Sequence, residues 1–179
     1  MNIFKFAILL ILAWSATPLL SFPNDSNAAI TIESDSAEQN ENENVTRYIG
    51  NVSINRGELN IKADLVTVKY ENNRVSTIFC EGNPSNFNRL ATNTNEELVG
   101  IANKIEYFIT KEIVHLMGNA SLNQNGTIIK GDTISYDIRN GIWKARGNSL
   151  SERKRIQLVI PPSDFENQLE QAPPEDIAL

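Results

Sequence analysis

Four times along this 179-residue chain a small residue stands beside Asp or Asn, an alternating stretch follows, and a Gly-Asn pair closes the unit. The openings are Ser34-Asp35, Ala63-Asp64, Ala102-Asn103 and Gly131-Asp132; the closings are Gly50-Asn51, Gly82-Asn83, Gly118-Asn119 and Gly147-Asn148. A pattern that recurs every few tens of residues marks one supersecondary unit stacked on copies of itself, because a lone unit cannot cover its own apolar face. Period-2 alternation makes the unit a strand rather than a helix. The chain is therefore read as a repeat-built, all-β protein.

The alternation changes phase at one spot in each unit. Along Leu59 to Tyr70, Ile61 and Ala63 share one face, whereas Val66, Val68 and Tyr70 share the other. Ile129 and Gly131 likewise give way to Ile134, Tyr136 and Ile138, and Ile105, Tyr107 and Ile109 follow Ala102-Asn103. A period that flips at a fixed place implies a bulge or a sharp bend, which a small residue next to Asp or Asn accommodates. Turn chemistry separates the strands at Glu71-Asn72-Asn73, Thr110-Lys111-Glu112 and Arg139-Asn140-Gly141, and hairpins are expected at Asn55-Arg56-Gly57 and Asn123 to Gly126. A last strand is expected over Arg155 to Ile160, stopped by Pro161-Pro162. Ser36 to Asn44 is too polar for a buried strand, and Leu90 to Glu97 reads as a long exposed hairpin or loop. Bent antiparallel strands stacked in this way give two facing sheets joined along one seam, an open structure rather than a closed barrel.

Before the repeats comes a leader. A positive start at Lys5, an apolar run from Phe6 to Trp14 and the exit Ser26-Asn27-Ala28 together describe a secretory signal peptide over residues 1–28. The remaining length, roughly 150 residues, suits one domain over residues 29–162. Residues 163–179, rich in Pro, Gln and acid, read as a disordered tail. That tail concentrates much of the formal charge of −6, leaving a β body near neutrality without the basic stripe a nucleic-acid surface needs. Cys80 is the only cysteine, so no internal disulfide forms, and its parity with Ile78 makes it a small buried hydrophobe. His115, between Val114 and Leu116, points away from the face those two share. No catalytic arrangement, phosphate loop, metal spacing or cofactor motif is found, and Asp35, Asp64 and Asp132 recur at equivalent bends where turn chemistry accounts for them.

Seven segments, in order, resemble the OstA-like β-jellyroll family of lipopolysaccharide-export proteins: Ile30 to Asp35, Gly50 to Ile54, Ile61 to Asp64, Gly82 to Phe87, Leu116 to Ala120, Ile129 to Asp132, and Arg153 to Ile156 leading into Val159-Ile160-Pro161. The polar stretch after Asp35 and the acidic tail depart from the family's pattern. The resemblance implies an open, V-shaped β-jellyroll in the periplasm, with no cofactor, that carries lipopolysaccharide between the inner and outer membranes. It further implies head-to-tail self-association and docking to an inner-membrane LptC-like subunit and an outer-membrane LptD-like subunit. The expected lining for lipid A acyl chains is Ile32, Tyr48, Val52, Ile54, Ile61, Val66, Val68, Ile105, Tyr107, Leu116, Leu122, Ile134, Tyr136 and Leu158. The same residues would also make an ordinary packed core. Partner edges are expected at Ile30, Ile32 and Asp35, and at Ile156, Leu158 and Ile160. Arg153-Lys154-Arg155 reads as solvated charge guarding an edge, with guidance of lipid phosphates the other option. The competing readings are a membrane-tethered LptC-like subunit and a structural module that only assembles through its edges.

Overall fold

Long strands follow one another through short turns whose residues fit the geometry. The Asn72-Asn73 pair has φ of 51° and 58°, and Asn125-Gly126 has 51° and 92°. Positive φ at both central residues is the hairpin turn whose twist matches that of its strands, and Asn and Gly adopt it at least cost. The computed structural model describes residues 28–91, 96–148 and 155–162. In chain order the strands are β1 (Thr31–Glu33), β2 (Ser36–Asn40), β3 (Val45–Arg56), β4 (Leu59–Glu71), β5 (Arg74–Ala91), β6 (Glu96–Phe108), β7 (Ile113–Gln124), β8 (Thr127–Asp137), β9 (Ile142–Arg146) and β10 (Gln157–Val159). They form one antiparallel sheet in which β3 to β8 lie in sequence order, β1 and β2 both pair with β3, and β9 and β10 both pair with β8. The expected leader, acidic tail and the residues Arg153 and Lys154 lie outside the described residues.

A crease crosses this sheet. Pairing slips between Ile49 and Val52 opposite Leu65 and Ala63, and again between Lys62 and Leu65 opposite Asn86 and Glu81. It slips between Glu81 and Ser85 opposite Lys104 and Ala102, then at Ile101/Lys104 against Ser121 and Met117, and finally at Met117/Ala120 against Thr133 and Gly131. Each irregularity therefore abuts the next, and the aligned bulges fold one sheet into two facing walls. Opening and closing elements of a unit meet across this line. The Asp35 amide donates to the Gly50 carbonyl at 3.0 Å while Asn51 Nδ2 donates to Asp35 Oδ2 at 2.9 Å. The Asn83 amide donates to Asp64 Oδ2 at 3.2 Å, and Asn119 Nδ2 to Asn103 Oδ1 at 3.5 Å. Gly50, with φ of +80°, is required twice over, by its left-handed backbone and because a Cβ there would overlap the Asp35 carboxylate.

The phase flip now has a cause. Residues before and after the crease must take opposite parities for both walls to present apolar side chains to the space between them. One wall carries the row Ile32, Ile54, Ile61, Phe87, Gly100, Leu122, Ile129 and Leu158, neighbours in register from β1 to β10. The other carries Tyr48, Val66, Cys80, Ile105, Leu116, Ile134 and Ala145, from β3 to β9. The polar segment Ser36–Asn40 forms an exposed strand all the same, held by backbone pairing to β3. Leu90 and Ala91 continue β5 in register with Glu97 and Glu96, so the expected loop is largely ladder, with residues 92–95 outside the described set.

Candidate functional site

The space between the walls is predominantly apolar, and its middle is filled. Val52, Ile54, Ile61, Val66, Val68, Ile105, Tyr107, Leu116, Leu122, Ile134 and Tyr136 are buried there, whereas Ile32 and Tyr48 are only partly covered. Leu158, on β10, is 45% exposed. Contact from wall to wall is direct: the Phe87 and Tyr107 rings meet edge to face at 5.4 Å between centroids. A Cβ on Gly100 would stand 3.1 Å from a Leu116 methyl of the opposite wall. Phe87 was missed from sequence although it is fully buried. In β5 the crease spans Gly82-Asn83-Pro84-Ser85 against only Ala63-Asp64 in β4, and the longer bulge obscures the renewed alternation of Ser85 and Phe87.

Opposite the crease no backbone pairing joins the walls among the described residues. A cavity of about 540 Å³ lies at this mouth, bounded by Ile30, Arg56, Leu59 and Arg89 from one wall and by Arg74, Val75, Tyr107 and Ile109 among others from the second. The two ends are also unsealed. Among the described residues β1 and β2 pair only with β3, and β9 and β10 only with β8, so each leaves a free edge of N–H and C=O groups. Of the expected edge residues, Ile32 and Leu158 are central in β1 and β10, Ile30 precedes β1, Ile156 and Ile160 flank β10, and Asp35 belongs to the crease. Sequence reasoning did not name β2 and β9 as the edges of the second wall. Ile142 and Trp143 of β9 are 56% and 38% exposed, apolar residues on a strand with one open side.

Away from the mouth, charged groups pair on the outer surface. Lys104 Nζ pairs with Glu81 at 3.0 Å, and His115 Nδ1 lies 3.4 Å from Glu106, on the faces of β6 and β7 that look away from the interior. Cys80 is buried within the second wall's inward row, between Val66 and Ile105 in register, and burial pushes its thiol pKa up to about 12. The Tyr48 phenol is raised as well, first by burial and then by the neighbouring Tyr70 hydroxyl. Among the described residues no group of three or more His, Cys, Asp or Glu side chains could hold a metal ion.

A creased sheet lined with aliphatic side chains, open along one margin and at both ends, belongs to the class of open-sided β carriers. The chain is a member of the LptA/(LptD N-terminal domain) LPS transport protein family, whose model matches residues 31–142. It is 30% identical over 165 residues to the lipopolysaccharide export system protein LptA of Haemophilus influenzae, covering 90% of this chain and 94% of that protein. Against LptA of Escherichia coli K12 it is 30% identical over 169 residues, covering 91% and 89%. The crystal structure of LptH, the LptA-homologous periplasmic component of the lipopolysaccharide transport device of Pseudomonas aeruginosa, superposes with a TM-score of 0.71 at 28% identity, over 78% of this chain and all of that one. The family resemblance read from the seven segments is upheld, and so is the open β-jellyroll.

Proposed function

We propose that this chain carries lipopolysaccharide across the periplasm, with the lipid A acyl chains between its two walls and the sugars outside the mouth. The single observation that carries this reading is a predominantly apolar interior whose walls, among the described residues, are joined along one margin only. An acyl chain of about ten methylenes gains roughly 8 kcal/mol by leaving water, at about 0.8 kcal/mol each. Such a chain cannot cross an aqueous compartment bare. Between the walls the Phe87 and Tyr107 rings are in contact. Acyl chains enter by parting that contact, exchanging one apolar partner for another at little cost.

Transfer over a distance requires one groove to continue into the next. The exposed edges of β1 and β2 at one end, and of β9 and β10 at the other, support head-to-tail pairing with further copies and with LptC-like and LptD-like jellyrolls of the two membranes. Export follows from the leader ending at Ala28, which N-terminal sequencing of the processed protein checks. A processed protein that still begins before Ala28 would favour the tethered, LptC-like subunit instead. The transport reading itself is tested by purifying the protein from an envelope rich in lipopolysaccharide. Stoichiometric lipid A in the product is the expected result, and protein that assembles on its partners yet never retains lipid would leave only the structural module.

A further inference from the structure

The chain is acidic overall, yet it gathers arginines at the mouth. Arg56, Arg74, Arg89 and Arg139 border the cavity there, and among the described residues lining it the one carboxylate is Glu112, already 3.7 Å from Arg139. These side chains come from four separate strand ends and converge only because the walls fold toward each other. Arg56 and Arg89 both register with Leu59, a residue buried on the inner face, and both keep the inward parity of Ile54 and Phe87. Both are half-buried. Arg56 and Arg89, two strands apart across β4, are partly desolvated on a predominantly apolar inner face, and that desolvation opposes folding. Elsewhere the charged pairs sit on the outer surface. Beneath the arginines the cavity floor is apolar, made by Leu59, Val75, Tyr107 and Ile109.

We propose that the mouth is a binding site for the phosphate-bearing head of an amphiphile, the arginines engaging the phosphates while the acyl chains pass over Tyr107 into the interior. Guanidinium groups match phosphate through paired N–H donors, and a cavity of about 540 Å³ falls in the range of ordinary ligand sites. The inference rests on the transport reading and adds to it a polar contact that fixes how the lipid sits. It also moves the phosphate contact away from Arg153-Lys154-Arg155, the basic run legible in the sequence, to residues scattered along it.

The test is displacement of a fluorescent lipid A from the full-length processed protein by three competitors: bisphosphorylated lipid A, the same lipid dephosphorylated, and inorganic phosphate. Wild type should prefer the bisphosphorylated lipid by about tenfold or more, a preference equal to about 1.4 kcal/mol. Arg56→Gln with Arg89→Gln should erase the preference while leaving the affinity for dephosphorylated lipid unchanged, and Arg56→Lys with Arg89→Lys should keep most of it. Equal affinity of wild type for the two lipids overturns the proposal, as does a Gln variant that loses both lipids alike. Should the Gln variant fail to fold, as circular-dichroism melting would show, the wild-type comparison decides alone. Inorganic phosphate competing as well as the lipid would assign the site to a soluble anion and overturn the head-group assignment. Wild type that binds neither lipid defeats the transport reading together with this one, an outcome distinct from binding both equally.

Discussion

The crease and the mouth are the two long margins of the same pair of walls, and they are built from opposite chemistry. At the crease, short polar side chains and left-handed Gly-Asn pairs lock backbone to backbone, as Asp35 does with Gly50 and Asn51. At the mouth, long cationic side chains stand over an apolar floor, and among the described residues the walls have no backbone pairing between them. One margin is therefore tied by hydrogen bonds that set the shape, and the other is held by side-chain contacts alone. A carrier needs both, since a groove closed on two sides would exclude its cargo and one open on two sides would not hold together.

Substitutions separate these roles. The largest effect should come from neither margin but from the apolar space they enclose: Leu122→Asp buries an unpaired charge and should cost about 5 kcal/mol, abolishing cooperative urea unfolding. Next, Gly50→Val at the crease combines a left-handed backbone with a clash against Asp35, and a loss of about 3 kcal/mol should appear in the urea midpoint. Leu158→Pro puts a residue without an N–H at the centre of a three-residue edge strand. It should stop chain growth in light scattering while the monomer unfolds nearly as wild type does, and normal filaments would contradict the role of β10. At the mouth, Arg74→Gln should shift stability by less than about 0.5 kcal/mol, because the residue is exposed and outside the core. If it instead costs as much as Gly50→Val, the mouth is a structural margin and the contrast collapses.

The smallest effect concerns Cys80. Its thiol is neutral in the folded protein up to about pH 12, against about 9 in the unfolded chain. The folded state thus holds the proton more tightly, and the stability this contributes is complete below pH 9 and is lost as pH rises toward 12. Around pH 8 the thiol should resist alkylation until urea unfolds the walls. Rapid labelling of the native protein would show that the second wall opens far more readily than its packing implies.

The crease was legible in the sequence because its chemistry is local: the same few residue types recur wherever the strand must bend, and the parity of Ile61 against Val66 records the bend directly. Edge strands were only half legible. The alternation around Ile32 and Leu158 marked β1 and β10, but Ser36–Asn40 has no apolar face to announce itself, since an exposed strand needs only backbone partners. The arginines of the mouth were missed for a different reason. Arg56 sits at a hairpin, Arg74 after a turn, Arg139 within one, and Arg89 in a polar stretch, so each has a local explanation, and only the fold brings them together. The inward parity of Arg56 with Ile54 was the signal that could have found them.

Tyr107 and Phe108 are adjacent aromatics on β6 with opposite outlooks, the first against Phe87 inside and the second against His115 outside. Placing a benzophenone amino acid at each position in turn and irradiating living cells tests the central claim, that lipid travels between the walls. Lipopolysaccharide should crosslink at position 107 and not at 108; equal capture at both, or capture at 108 alone, would contradict an interior route.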